Sequence, residues 1–585
     1  MSKESILSKS TKGVTFLMFT QFFTKILSFL LNSMLIRYLS PKIFGITAFL
    51  GFLQSTGLFF SREAIRLSTL RIQKSYNQQQ QQQQQQESVE EKTDLLRSET
   101  PEDVQILSEK LSTSENDDDE YDQNVLQSII NFSYIPILLG LPLSLVLFVW
   151  QYTKLNGYFT ELPFFGFSII VLWLSIIIEL LSEPFFNIHQ YLLNYKIRSQ
   201  FEGSAVTVSC FVNFLIVYLH ETRYNGQDGL ELHNQFKEEG IAIFAFACGK
   251  FFHSLTLLLL YYRDYIRNFA PMKKTHLKIT KIRSSHKKQS LYFQNEILQH
   301  FKKVYFQMCF KHLLTEGDKF IINALCTVEE QGIYSLLSNY GSLVTRLLFA
   351  PIEEALRLFL TRLLSKKTNA NLKLSVDVLI NLTKFYLYLT IMIIIFGPIN
   401  SSYLLRYLIG SKWSSTSVLE TIRTYCFYLP FLSLNGIFEA FFQSVANGDQ
   451  ILKHSYVMMC LSGVFLLNCY VLIAKMKLSL EGLIYSNIIN MVLRILYCVV
   501  FINDFYKKLF HGKSSIIVNF HNLRVAFFLS LVVWALDWFY LGGYTKNLKE
   551  LAINFLLALF LLSVMIYSER RVIYGFIRSK TNKIK

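Results

Sequence analysis

Charge is scarce in this chain of 585 residues: Asp, Glu, Lys and Arg make up 17% of it, against about a quarter in ordinary soluble domains. Catalytic signatures are missing as well. There is no GxxxxGK[ST] loop, no HExxH, no GxSxG elbow and no GxGxxG turn, so the sequence gives no ground for nucleotide hydrolysis, zinc proteolysis, acyl transfer or dinucleotide binding. No CxxC pair occurs among the eight cysteines, Cys210, Cys248, Cys309, Cys326, Cys426, Cys460, Cys469 and Cys498. Nearly all fall in apolar segments and read as small buried hydrophobes, with neither a disulfide framework nor a metal site implied. No cofactor is expected. Negative charge is the scarcer sign, 42 acidic against 58 basic residues. The excess does not point to nucleic acid, because the basic residues sit in short loops between apolar runs, where the positive-inside rule accounts for them.

What is abundant is hydrocarbon: 51% of residues are hydrophobic and 15% aromatic. Apolar runs of about 20 residues recur along nearly the whole length, each able to cross roughly 30 Å of bilayer as a helix. The expected fold is all-α and polytopic. Spans are expected near 13–36, 44–60, 129–150, 164–189, 204–220, 240–262, 304–325, 332–356, 376–397, 424–446, 454–474, 481–501, 523–540 and 550–568, fourteen in all. The first run is too long for a signal-peptide core and lacks a cleavage site, so it is expected to stay as a helix. On this layout one set of loops and tails carries 35 Lys and Arg, the opposite set 12. That asymmetry places both termini on the cytoplasmic side.

Residues 75–127 stand apart, with a glutamine run from Gln78 to Gln86 followed by an acidic stretch through Asp117, Asp118, Asp119 and Glu120. Such composition buries too little apolar surface to offset chain entropy, and a disordered cytoplasmic insert is expected. The chain divides accordingly into an N-terminal lobe of six helices (1–262), a basic cytoplasmic linker (263–303), a C-terminal lobe of six helices (304–501), and a last helix pair with its tail (502–585). Sequons start at Asn131, Asn381 and Asn400, and only Asn400 is expected on the non-cytoplasmic side.

The halves resemble each other. Phe44-Gly45-Ile46 opens a helix that ends in Arg62-Glu63-Ala64-Ile65-Arg66, and Gly332-Ile333-Tyr334 opens one that ends in Glu353-Glu354-Ala355-Leu356-Arg357. Internal repeats of this kind build cavities at their interface. Ionisable residues at membrane depth cost a few kcal/mol each, so they pair or face water. They fall in matching places: Lys25, Arg62, Glu63 and Arg66 in the first half, then Lys311, Glu316, Asp318, Lys319, Arg346, Glu353 and Glu354 in the second. These are the candidate cavity residues. Lys25 and Arg346 lack a near acidic neighbour, which suits an anionic cargo bearing phosphate. The plainer reading pairs Glu316 with Lys319 and Arg357 with Glu353 or Glu354. His312 is a candidate proton relay or a satisfied interior histidine. Glu179 and Glu183, ahead of Pro184, are expected near a break in the fourth span, and Glu439 and Gln443 share one helix face.

At these residues the sequence resembles the Rft family of endoplasmic-reticulum proteins, within the multidrug, oligosaccharidyl-lipid and polysaccharide exporter superfamily. The carrying segments are Leu313 to Lys319, Gln331 to Tyr334, Asn339 to Arg346, Pro351 to Glu354, Ser182-Glu183-Pro184 and Arg62-Glu63-Ala64. The resemblance implies two six-helix lobes around a central polar cavity plus a C-terminal helix pair. It implies a role in protein N-glycosylation as a flippase, moving the dolichyl-diphosphate-linked heptasaccharide from the cytosolic to the luminal leaflet of the endoplasmic-reticulum membrane. The oligosaccharide lipid and that membrane are then its partners; protein partners are not readable. Two other readings stay open: a non-transporting accessory protein that binds or presents the lipid, and an ion-coupled antiporter using a membrane acid such as Asp377 or Glu439. An enzyme is not expected, because the luminal loops are short.

Overall fold

Backbone amides find no water inside a hydrocarbon layer, so an apolar chain resolves into helices that satisfy their own N–H and C=O groups. The computed structural model describes residues 26–95, 126–192, 194–224, 231–270, 277–283, 290–293, 295–344, 349–364, 368–413, 416–509 and 521–570. Their regular structure is helical, apart from a two-residue antiparallel pairing of Ile282–Arg283 with Ser290–Leu291. Among the described residues eleven helical stretches are long and apolar enough to cross a membrane, and all eleven coincide with expected spans.

The first expected span is described only as α1 (Ile26–Ile36). The seventh differs from expectation, since it is not one helix. Residues 304–325 are divided between α8 (Asn295–Thr315) and α9 (Gly317–Leu325); the eighth span is described as α10 (Val328–Val344) and α11 (Ala350–Leu363), with 345–348 outside the described residues. Glu316 leaves the helical region at this break, with φ −110° and ψ 10°, just before Gly317. The physical reason is the concentration of ionisable side chains: a continuous rod would carry them all at membrane depth, where each is costly.

The second helix, α2, runs Pro41–Leu95, its backbone continuing through the glutamine run, and glutamine is a good helix former. Residues 96–125, the rest of the insert, lie outside the described residues. After α3 (Ile135–Tyr152), the fourth span breaks at Ser182 into α4 (Phe165–Leu181) and α5 (Glu183–Tyr191). Pro184 sits in the first turn of α5, where its missing N–H costs nothing. The chain continues as α6 (Tyr195–Tyr224) and α7 (Glu231–Asp264), and past α11 as α12 (Asn369–Ile409), α13 (Val418–Cys426), α14 (Tyr428–Val445), α15 (Gly448–Cys469), α16 (Ser479–Leu509), α17 (His521–Leu541) and α18 (Leu548–Ser568).

Two compact units result, one of residues 1–38 and 49–315, the other of 39–48 and 316–585. The first packs Phe185 and Phe186 of α5 against Tyr261 and Leu257 of α7, and Ile65 of α2 against Phe132 and Phe301. Asn131 is fully buried there: Nδ2 donates to the carbonyls of Thr280 (2.7 Å) and Tyr292 (2.9 Å), which ties part of the basic linker to this unit and uses up the first sequon. The second unit packs Leu356 and Leu360 of α11 against Tyr386, Phe441 and Tyr506. It also contains a close backbone approach between helices. A Cβ added to Gly45 would lie 2.0 Å from the carbonyl oxygen of Val328, and one added to Gly332 would lie 2.0 Å from that of Pro41. The two glycines that open matching helices in the sequence meet each other, backbone on backbone, as only glycine allows.

Candidate functional site

In the first unit three helices bring charge to one place. Arg62 and Arg66 lie one turn apart on α2 and share a face. Glu179 ends α4 and Glu183 begins α5, so the break at Ser182 sets two carboxylates opposite that face. Arg62 Nη1 donates to Glu179 Oε1 at 2.7 Å and lies 3.4 Å from Glu183 Oε1. Arg66 grips Glu183 with two donors, Nε to Oε2 at 3.0 Å and Nη2 to Oε1 at 2.5 Å. The two-pronged geometry is the strong form of this interaction. Glu183 is fully buried and Glu179 5% exposed, so both carboxylates depend on protein partners for solvation. The far face of the Arg66 guanidinium lies 3.6 Å from the Phe186 ring centre, and Arg198 lies 4.1 Å from it.

Helix α7 completes the site. Ser254 Oγ donates to Glu179 Oε2 at 3.1 Å, and His253 Nδ1 lies 3.8 Å from the same oxygen. Lys250, one turn earlier, makes no hydrogen bond or ion pair among the described residues; its ammonium lies 5.7 Å from the Phe246 ring centre. Together with Gln54, Phe59, Arg62, Glu63 and Glu179, Lys250 and His253 line a cavity of about 250 Å³. The arginines are neutralised by the acids. Lys250, which shares the lining with the carboxylates of Glu63 and Glu179, is the cation of this cavity that makes no hydrogen bond among the described residues and so is placed to meet an anion, with His253 and Gln54 beside it as hydrogen-bonding groups. His312 belongs to the same unit but is satisfied: its Nε2 lies 3.2 Å from Thr56 Oγ1 and its ring stacks on Phe59 at 4.2 Å.

The expected site residues separate accordingly. Arg62, Glu63 and Arg66 come together, with Arg62 and Arg66 bound to Glu179 and Glu183. Lys25 and Arg346 lie outside the described residues, as do the side chains of Lys311 and Asp318. Glu316 and Lys319 pair with each other at 2.5 Å, the plainer alternative. In the second unit Glu353 presses against α14, so that a Cβ at Gly436 would fall 1.9 Å from its Oε1. Glu354 is exposed. Arg357 donates to Gln443 Oε1 at 3.1 Å rather than to Glu353 or Glu354. Gln443 and Asn435 in turn donate to Glu439, at 3.1 and 3.2 Å.

Sequence reasoning missed Lys250 and His253. They sit inside a run that reads as one apolar span, and the available signal was their spacing of three, which puts both on one helix face. A second signal was the likeness of Glu183-Pro-Phe-Phe-Asn187 to Glu439-Ala-Phe-Phe-Gln443, which marks Glu439 as the second unit's counterpart of Glu183.

Comparison with known proteins extends these observations. Residues 9–579 match the model of the Rft protein family. A Saccharomyces cerevisiae protein named Man(5)GlcNAc(2)-PP-dolichol translocation protein RFT1 is 56% identical, covering 99% of this chain and 97% of its own. A protein of the same name from Kluyveromyces lactis is 57% identical over 99% of both. Among solved structures, the lipid II flippase MurJ in an inward closed conformation superposes with a TM-score of 0.56 at 14% identity, covering 95% of this chain and 99% of its own. An inward-facing multidrug resistance MATE family transporter of the MOP superfamily gives 0.53 at 13% identity, covering 84% and 96%. At such identities the shared property is the fold.

Proposed function

The chain belongs to the Rft protein family, and from that premise we propose that it translocates the dolichyl-diphosphate-linked heptasaccharide from the cytosolic to the luminal leaflet of the endoplasmic-reticulum membrane, for protein N-glycosylation. Relatives more than half identical over nearly the full length carry the name of that translocation. It acts as a carrier and not as an enzyme. Fourteen spans with both termini cytoplasmic complete the reading, supported by 35 Lys and Arg on one side against 12 on the other.

The observation that carries the site is the cavity of the first unit. A pocket of about 250 Å³ is smaller than the roughly 300–1,000 Å³ of pockets that enclose a drug-sized ligand. It receives one end of the headgroup, the diphosphate, while the sugars lie outside it. Lys250 meets the phosphate oxygens as a point charge. Arg62 and Arg66, held by Glu179 and Glu183, keep α2 fixed against α4 and α5, and Glu179 orients Ser254 and His253 beside Lys250. The polyprenyl tail stays in lipid.

The test is leaflet exchange of a labelled dolichyl-diphosphate heptasaccharide in liposomes holding the purified protein. Exchange faster than in empty liposomes, slowed about tenfold or more by Lys250→Ala with folding retained, supports the reading; one lost charge-assisted contact of about 1.5–3 kcal/mol predicts that much. Exchange equal to that of empty liposomes, with the lipid still bound, makes the protein an accessory that holds its cargo without carrying it.

A further inference from the structure

The last two helices bury a carboxylate that the proposed function does not use. Helix α17 turns one stripe inward, Ala526, Ser530, Val533 and Asp537, and α18 turns in Asn554, Leu561 and Met565. Ala526, Val533, Leu561 and Met565 share one core with Ile395 and Phe396 of α12. Beyond that apolar layer the turn between α17 and α18 is fastened to α12: the Thr545 amide donates to the carbonyl of Ile399 at 3.0 Å, and its Oγ1 lies 2.7 Å from Asn400 Oδ1. Asp537, one turn past Val533, and Asn554, two turns before Leu561, occupy the layer between. Their depths agree. Asp537 stands four residues before the end of α17 and Asn554 six after the start of α18, about 6 and 9 Å from the turn at 1.5 Å per residue.

Both side chains are closed off from solvent, at 1% and 0% exposure. Both are also without partners: neither oxygen of Asp537 and neither polar atom of Asn554 has a hydrogen bond. No charged side chain among the described residues compensates the carboxylate from α12, α17 or α18. On those helices Arg406, Arg524 and Lys549 are exposed, as is Lys546 in the turn, and Glu550 accepts from the Lys546 amide. Glu569, at the far end of α18, accepts from Tyr388. Arg423 of α13 is taken by Ser402 Oγ at 2.7 Å and by the Tyr544 ring. A buried carboxylate with no cation near it is neutralised instead.

We propose that Asp537 is a proton-binding site closed by Asn554. The carboxylate takes one proton from hydronium and releases water; the new O–H then donates to Asn554 Oδ1, while Asn554 Nδ2 donates to the remaining Asp537 oxygen. The pairing has the broad terminal torsions of both side chains turn the two ends towards each other. The donor and acceptor count selects the ligand. One proton pairs all four orphaned groups, whereas a monovalent cation binds the three oxygens and leaves the amide N–H unmatched.

Infrared difference spectroscopy of the full-length protein in lipid nanodiscs at neutral pH tests this, comparing wild type with Asp537→Asn and Asn554→Leu, with and without sodium. The expected result is a protonated-carboxyl stretch in wild type that is lost in Asp537→Asn, shifts towards the free-acid frequency in Asn554→Leu, and ignores sodium. Asp537→Asn keeps the shape of the side chain, so that variant alone decides protonation even if Asn554→Leu fails to fold. Identical spectra for wild type and Asp537→Asn overturn the proposal, and so does a carboxyl band that sodium abolishes at constant pH, or one unmoved in a folded Asn554→Leu.

Discussion

The second-helix exits of the two units occupy matching places and solve the burial of charge differently. In the first, Arg62 and Arg66 close on Glu179 and Glu183 as direct ion pairs. In the second, the acid Glu353 stands where Arg62 does, Glu439 takes its hydrogen bonds from the amides of Asn435 and Gln443, and Arg357 is left with an amide oxygen. One scaffold thus carries a stiff charge-paired site and a softer amide-bridged one. The difference teaches that the repeat preserves positions and not partners. In the first arrangement the arginines are held by the acids, and Lys250 stands beside them without a hydrogen bond among the described residues.

The largest effect comes from removing the acid at the centre of each arrangement. Glu183→Ala strands half-buried Arg66 and weakens the hold on Arg62, and is expected to destabilise the fold by about 3 kcal/mol, towards the low end of the cost of breaking a buried pair. Glu439→Ala strands only neutral amides and is expected to cost about 1–3 kcal/mol. Denaturant unfolding of both variants in one detergent breaks the comparison if the costs are equal. Next comes the contrast between two crowded glycines of the second unit. Gly332→Ala drives a methyl into a helix backbone and is expected to cost about 1–3 kcal/mol or more. Gly436→Ala meets the movable end of Glu353, so its unfolding midpoint is expected to shift by less than that of Gly332→Ala. Smallest is Gln443→Ala, an exposed side chain between Arg357 and Glu439, expected to change stability by no more than about 0.5 kcal/mol. A larger loss, seen in the same unfolding experiment, would make the amide bridge as stiff as the ion pairs it is contrasted with.

Much of the architecture was legible because a bilayer imposes one simple pattern. Eleven expected spans became helices since twenty apolar residues have few alternatives. The seventh broke at Glu316, where charge density already conflicted with that pattern. The break at Ser182 was announced by Pro184. Less of the site could be read. Arg62, Glu63 and Arg66 were found because three charges in five residues are conspicuous, but their partners lie 117 and 121 residues away in sequence. Pairing across helices leaves no local trace. Lys250 was hidden for the opposite reason, as the single charge of the apolar run 240–262, whose hydrophobicity it hardly disturbs.

The meeting of Gly45 and Gly332 has a consequence for how such chains diverge. Each missing side chain is replaced by a carbonyl of the other helix, and no substitution elsewhere can make a peptide group smaller. Neither position can drift first and be rescued later, so the two are frozen separately and not as a covarying pair. Each glycine stands four residues after its helix start, Pro41 and Val328, so an insertion or deletion inside either four-residue step would carry the glycine off the crossing. Homologous chains should therefore vary freely in loop length on either side while keeping this interval, a fixed mark against which the two halves can be aligned when the rest of their likeness has faded.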